Sequence, residues 1–450
     1  MNNEYELKQR MIPCNDSFDV IVVGGGPAGC ASAIAASREE AKTLIIEATG
    51  CLGGMGTAGL VPAWCPFSDK EKIIYRGIAE KVFDATKRGM PHIENNALDW
   101  VAIDPELLKR IYDDMVLGAG VTVMFNTLLS TVDLNENGEV SAIVVSNKAG
   151  LSAYRAKVYI DCTGDADLAA WAGAEFIKGD ELTGDLQAAT HCFILGNVDE
   201  YAYLNGPDIH GKNPASPVYK ILESGRYPEV VDSHMCNHLI GPKTVGFNAG
   251  HLWKVDNTEP VSVSRAFIQG RKIAMKLCDG LAEFHPKAFG NAFLVATGAL
   301  MGIRETRRVI GDYILTVEDY LQRRSFWDEI CRNSYYIDLH LSPDKKAVMT
   351  KEEVEIMGKY NNYAPGESHG IPYRCLTPKD LKNVLVAGRS ISCERPVMGS
   401  IRVMPVCLAT GEAAGVAAGM AAKELESNVH TINIGLLRDK LKEYGAYLPD

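Results

Sequence analysis

Phe18-Asp19-Val20-Ile21-Val22-Val23-Gly24-Gly25-Gly26-Pro27-Ala28-Gly29 decides how this chain folds. Its first half is an apolar, β-branched run of the length of a strand buried on both faces. Its second half fits G-x-G-x-x-G, and the small residues from Ala31 to Ser37 then read as a helix able to lie close to a sheet. A second strand, Thr43-Leu44-Ile45-Ile46, ends at Glu47. Each glycine has a mechanical reason in this order of elements. Gly24 permits the tight turn, Gly26 lets a pyrophosphate approach the backbone, and Gly29 allows close helix–strand contact. The helix start supplies amide donors and a partial positive charge, and Glu47 is placed to accept from a ribose diol.

A second glycine-rich stretch follows, Gly50-Cys51-Leu52-Gly53-Gly54-Met55-Gly56-Thr57-Ala58-Gly59, and implies backbone pressed against a ligand longer than NAD, such as a flavin dinucleotide. Val121 to Phe125 reads as a strand, Asn137-Gly138 as a hairpin turn, and Val158-Tyr159-Ile160-Asp161 as a further strand running into Thr163-Gly164-Asp165. The rhythm fades after Glu175 and resumes with Asn383 to Gly388 and the alanine-rich helix Pro405 to Ala422. The expectation is an α/β chain with a discontinuous cofactor domain, 15–175 and 336–450, interrupted by an α+β domain over 176–335.

Composition narrows the function. The 450 residues carry 46 Lys and Arg against 57 Asp and Glu, a net −11 with no basic block, so nucleic acid is a poor partner. The start lacks the basic-then-apolar order of a secretory signal and the first apolar run is broken by glycines, which places the chain in the cytoplasm with no membrane span. Twelve scattered cysteines without Cys-x-x-Cys argue against a redox dithiol, an iron–sulfur cluster or structural zinc. His234-x-x-x-His238, spanning Cys236, would share one helical face, yet it has no carboxylate at the expected position and no metal is expected.

These residues resemble the FAD-dependent oxidoreductases of glutathione-reductase-like fold, in the branch related to succinate dehydrogenase and fumarate reductase flavoprotein subunits. Further matches are Leu52-Gly53-Gly54-Met55, Asp161-Cys162-Thr163-Gly164-Asp165, Gly302 to Arg308, Tyr336 to His340, Ile371 to Arg374, and Gly399 to Pro405 leading into Gly411 to Gly415. The resemblance implies a Rossmann-like FAD domain with a central parallel sheet and a small β-meander, carrying an inserted substrate or cap domain. It implies FAD, with its ADP half on Gly24, Gly26, Pro27, Ala28, Gly29, Glu47 and Ala48, and adenine near Leu129. The ribityl and flavin half would run along Leu52, Gly53, Gly54 and Met55, with Thr163, Gly164, Asp165 and Gly388 at the sheet edge. Val403 and Met404 would open a helix toward the flavin O2/N1 edge, where the reduced ring is negative. Arg389 stands where many relatives have an acid, which leaves its role open.

The catalytic candidates are Arg304, Arg374, Arg402 and His340, with Arg307, Arg308 and Asp338 nearby in sequence. Arginines would hold a substrate carboxylate or the flavin carbonyl edge, and a histidine would shuttle the proton. The competing reading has arginines tie domains together through partners such as Glu305. His191 has a weaker claim, and Thr316 to Asp319 reads as a helix-start box without chemistry. The expected activity is hydride transfer between flavin N5 and a small polar, anionic substrate. Its alternatives are an electron-transfer subunit serving an iron–sulfur partner and a flavin monooxygenase. A redox partner or a homo-oligomer is compatible with each.

Overall fold

The structure is a computed structural model that describes residues 11–342, 362–424 and 426–449, together with 346, 349–351, 354 and 358. Its centre is a five-stranded, all-parallel sheet in the order Val384–Val386, Val158–Asp161, Val20–Val23, Thr43–Ile46, Thr122–Met124. All but the edge strand Thr122–Met124 are buried at every position, as the near-continuous Val/Ile/Leu composition requires when both faces are covered.

One face is covered by Pro27–Arg38 packed on Met404–Ala421. The contact works because both helices present almost no side chain. A Cβ on Gly411 would lie 2.2 Å from the Ala28 carbonyl oxygen, and one on Gly415 2.2 Å from that of Ser32. Met404–Ala421 is long and apolar enough to cross a membrane, but every residue of it is buried in the protein. The expected meander is present as Leu128–Leu134, Val140–Asn147 and Gly150–Tyr154, with Cys14–Asn15 added at its edge. Thr316 opens the helix Val317–Leu321 with the reciprocal hydrogen bonds of a capping box.

The inserted region has its own hydrophobic core, drawn from Ala189 to Ile303. It is a four-stranded antiparallel sheet, Met235–Gly241, Thr244–Ala249, Phe193–Gly196 and Phe293–Thr297, packed under the long helix Pro260–Phe284. This is narrower than the expected 176–335. Val309, Leu315, Tyr320, Ile330 and Tyr335 bury in the main core with the residues that precede and follow the insertion. The sequence does not mark that boundary because the flanking segments Phe176–Lys178 and Arg307–Val309 pair with each other and carry no glycine rhythm.

Candidate functional site

The segments expected to hold a dinucleotide meet at the carboxyl edge of the parallel sheet. Gly24, Glu47, Thr163 and Gly388 each stand just past the end of a different strand, where ligands of open α/β sheets bind. Gly24 has φ +101°, and a Cβ there would lie 2.4 Å from the Cys162 carbonyl oxygen, so only glycine fits. Gly26 caps Pro27–Arg38 without any side-chain hydrogen bond, and the first-turn amides have no partner inside a helix. A Cβ on Gly26 would meet no atom within 4 Å, so this glycine borders open space, unlike Gly29, whose Cβ would strike the Gly24 carbonyl oxygen. The second glycine stretch lies on the first: the Gly53 amide donates to the Gly25 carbonyl at 2.8 Å. A Cβ on Gly54 would sit 3.0 Å from Gly26 Cα. Glu47 is buried at its strand tip and accepts from the Gly25 and Thr49 amides, both at 2.7 Å. Ala48 beside it is exposed, Leu52 is buried, and Met55 and Leu129 are half-buried. Val403 caps Met404–Ala421, again without a side-chain bond, so that helix also presents bare amides.

Arg389 has a defined place. Its Nη2 donates to Asp165 Oδ1 at 2.6 Å, and its guanidinium lies over Gly164. Thr306 Oγ1 and Asn257 Nδ2 also donate to the Asp165 carboxylate, each at 2.6 Å, and Arg307 donates to its carbonyl. Burial raises the Asp165 pKa, but Arg389, Thr306 and Asn257 reverse this and hold it below the usual carboxylate range. Asp165 therefore ties the sheet edge to the inserted region, and Arg389 is its counter-charge. Arg307 also pairs with Asp167 at 2.7 Å, while Arg308 and Arg395 both pair with the buried Glu305.

The remaining basic residues form a second site. Arg304 is 6% exposed. It donates to the Ala188 carbonyl at 2.8 Å, approaches His234 Nε2 at 3.3 Å, and reaches Asn248 Oδ1 at 3.4 Å. Burial and the nearby Arg402 charge bring its pKa down to about 10. Arg402 donates to the carbonyl and carboxylate of Asp338, and its Nε is buried with no partner. His340 Nε2 lies 3.1 Å from Asp338 Oδ2 and its Nδ1 2.8 Å from His251 Nε2. Burial, then the Arg304 charge, pushes His340 down to about 3. Burial favours the neutral Asp338 carboxyl, but His340, Arg402 and Arg304 outweigh it and keep the group ionised.

The structure thus brings Arg304, Arg402, Asp338 and His340 together directly before Val403, where the bare-ended helix begins. It does not bring Arg374 there: that guanidinium is held by Asp328 at 2.8 and 3.2 Å and rests against Tyr313 and Trp327. His191 packs on Phe267 and meets the Gly298 carbonyl at 2.8 Å. His234 and His238 are not on a helix, because His234 precedes the strand Met235–Gly241, which contains His238. His234 joins the cluster. Asn248, His251 and Asp232 also belong to it and carry no local sequence signal. Among the described residues, His234, His251 and His340 are the one trio of ligand type with atoms all within 4.8 Å of one another.

A parallel sheet with a glycine cradle, a bare helix terminus and an adjoining cluster of arginines and histidines defines an enzyme built around a redox dinucleotide. The chain belongs to the FAD dependent oxidoreductase family, whose profile matches residues 19–441. Glutathione reductase of Schizosaccharomyces pombe is 36% identical over 93 residues, 20% of this chain and 18% of that protein. Fumarate reductase (cytochrome) of Shewanella frigidimarina is 34% identical over 87 residues, 19% of this chain and 15% of that protein. The match thus spans less than a fifth of either curated relative. Among solved structures, a geranylgeranyl bacteriochlorophyll reductase-like protein from Thermoplasma acidophilum aligns at TM-score 0.45 and 14% identity, covering 96% of this chain and 83% of that one. A flavin-dependent brominase aligns at TM-score 0.48 and 10% identity, covering 95% and 84%. FAD is the family's cofactor, and the open space at Gly26 with two uncapped helix starts fits its pyrophosphate and its ring edge.

Proposed function

We propose that this flavoenzyme transfers a hydride between FAD and a small carboxylate bound by Arg304 and Arg402. The observation that carries the reading is Arg304, a buried guanidinium whose hydrogen-bond partners are a carbonyl, an amide and an imidazole. No carboxylate lies within ion-pair distance of it among the described residues. An unpaired buried charge is costly by several kcal/mol, and an anion entering beside it removes that cost. Arg304, Arg402 and Asp338 sum to +1 when His340 is neutral, which suits a monoanionic group.

Gly24, Gly26, Pro27, Ala28, Gly29, Glu47 and Ala48 would hold the ADP half, and Leu52 to Met55, Thr163, Gly164, Gly388, Val403 and Met404 the ribityl and ring half. The cofactor supplies a two-electron acceptor at N5. The protein's part is to fix the carboxylate through Arg304 and the unpartnered Arg402 Nε, and to take up the substrate's hydroxyl or amine proton at His340 Nε2, beside Asp338. A neutral imidazole is needed for that, and His340 is held neutral by its burial and by Arg304. Asp338 orients it and stabilises the cation formed.

The test is an anaerobic screen of hydroxy and amino acids for loss of the flavin's visible absorption. Carboxylates should reduce the flavin and their amides should not. Arg304→Met should weaken the productive carboxylate by about 10- to 100-fold, one charge-assisted contact of ~1.5–3 kcal/mol, with FAD retained. Equal reduction by neutral alcohols, or full affinity in Arg304→Met, would refute the assignment.

A further inference from the structure

Asp232, His251, His340 and Asp338 form a line of four ionisable groups. Asp232 Oδ2 lies 2.8 Å from His251 Nδ1, His251 Nε2 2.8 Å from His340 Nδ1, and His340 Nε2 3.1 Å from Asp338 Oδ2. Each link needs one proton, and two neutral imidazoles bring one N–H each. Three links and two protons leave one vacancy. The line can therefore take one further proton and complete its hydrogen bonds, an arrangement unlike an isolated histidine–aspartate pair.

The two ends face different surroundings. The Asp338 end touches Arg402 and feels Arg304, both in the anion pocket, while Tyr335 lies 3.5 Å from Asp338 and Tyr336 and Cys65 are close. The Asp232 end sits at the edge of the inserted region, with the His234 amide on its other oxygen and Lys346 acting on it. His234 stacks on His251 at 4.0 Å between centroids and Trp253 packs at 4.9 Å, leaving the line flanked by rings.

We propose that His251 and Asp232 extend the His340–Asp338 pair into a proton relay, which takes a proton at the anion pocket and passes it to the outer edge of the inserted region. This deepens the carboxylate-dehydrogenase reading and rests on its pocket. The substrate's O–H or N–H bond breaks and an N–H bond forms at His340 Nε2, which fills the vacant link to Asp338. The His340 Nδ1 proton moves to His251 Nε2, the His251 Nδ1 proton moves to Asp232, and Asp232 releases it to solvent. No electrons pass along the line, since the hydride leaves by the separate path to FAD. The same nitrogens do not suit a metal ion as they stand. The His234 and His251 rings are 7° from parallel, so their lone pairs run side by side, and the Arg304 cation already occupies His234 Nε2.

Nitrogen-15 histidine labelling of the FAD-loaded protein tests the relay without any substrate. One N–H···N bond between His251 and His340 should appear as a nitrogen–nitrogen coupling across the pair, and its absence overturns the relay. Calorimetric titration with acetate and malonate, in buffers of different ionisation enthalpy, gives the second readout. Anion binding beside the vacant link should draw in close to one proton per anion, and His251→Gln should cut this below half. Binding without proton uptake in the unaltered protein overturns the relay. Failure of either anion to bind sinks the carboxylate pocket instead, while the coupling still decides the relay. Stoichiometric zinc or another transition metal in the purified protein also overturns it.

Discussion

Gly26 and Gly411 are both glycines of the cofactor domain, yet alanine at the two positions should fail in opposite ways. At Gly411 the new methyl would stand 2.2 Å from the Ala28 carbonyl oxygen, between two helices that have no room to part. Overpacking of this kind costs about 1–3 kcal/mol, roughly 1–3 °C of apparent Tm for a chain of this length. At Gly26 the backbone is extended, with φ −68°, so alanine is unstrained, and its Cβ would meet nothing within 4 Å. Gly26→Ala should therefore leave the apoprotein within about 0.5 kcal/mol of its starting stability. The open space it fills is the approach of the pyrophosphate to the helix start. Losing one charge-assisted hydrogen bond there removes ~1.5–3 kcal/mol, a 10- to 100-fold fall in FAD affinity. Urea unfolding of both apoproteins, set beside FAD titration by quenching of flavin fluorescence, separates the two effects. Normal FAD affinity in Gly26→Ala, or an apoprotein as damaged as Gly411→Ala, would refute the assignment of that space.

Arg389→Ala should cost about 3 kcal/mol, because it strands the buried Asp165 with only neutral donors. Asp165 has a depressed pKa, so its contribution is present above the unfolded value of about 3.9 and is lost as pH falls through the folded value; without Arg389, burial raises that pKa and the loss should begin at higher pH in urea midpoints taken from pH 7 to 4. Arg374→Ala should lower apparent Tm by exposing the buried charge of Asp328, while substrate KM in the folded fraction stays unchanged, since that side chain stands apart from the anion pocket. Burial brings His369 down to about 3 and His238 to about 4, so the unfolded chain binds protons that the folded one refuses. Each should forfeit about 2 kcal/mol of stability between pH 7 and pH 5, and His369→Gln should flatten that acid limb.

What the sequence disclosed and what it withheld divide along one physical line. The strand, turn, helix and second strand through Glu47 were legible because their determinants are local: glycines that alone fit their φ or their contacts, and apolar runs of strand length. The resuming helix was legible for the same reason, since a run of alanine and glycine has no stable use except close packing. The insertion's limits were not, because Val309 to Tyr335 return to the main core by long-range contacts. Arg374 and Arg304 looked alike as arginines in matching motifs. They differ only in tertiary partner, Asp328 for one and uncharged groups for the other.

The histidine line is the extreme case. His251 and His340 lie 89 positions apart, and neither stands in a pattern that names the other. Sequence could offer His340 as a proton group, but a single imidazole beside an aspartate has its one link satisfied by its own proton and has no vacancy. The vacancy exists only because the inserted region sets a second imidazole and a second carboxylate in line with the pair. An insertion that merely covered the pocket would need apolar surface at this seam. That it brings Asp232, His251 and Asn248 there argues that the inserted region participates in the chemistry of the domain it interrupts.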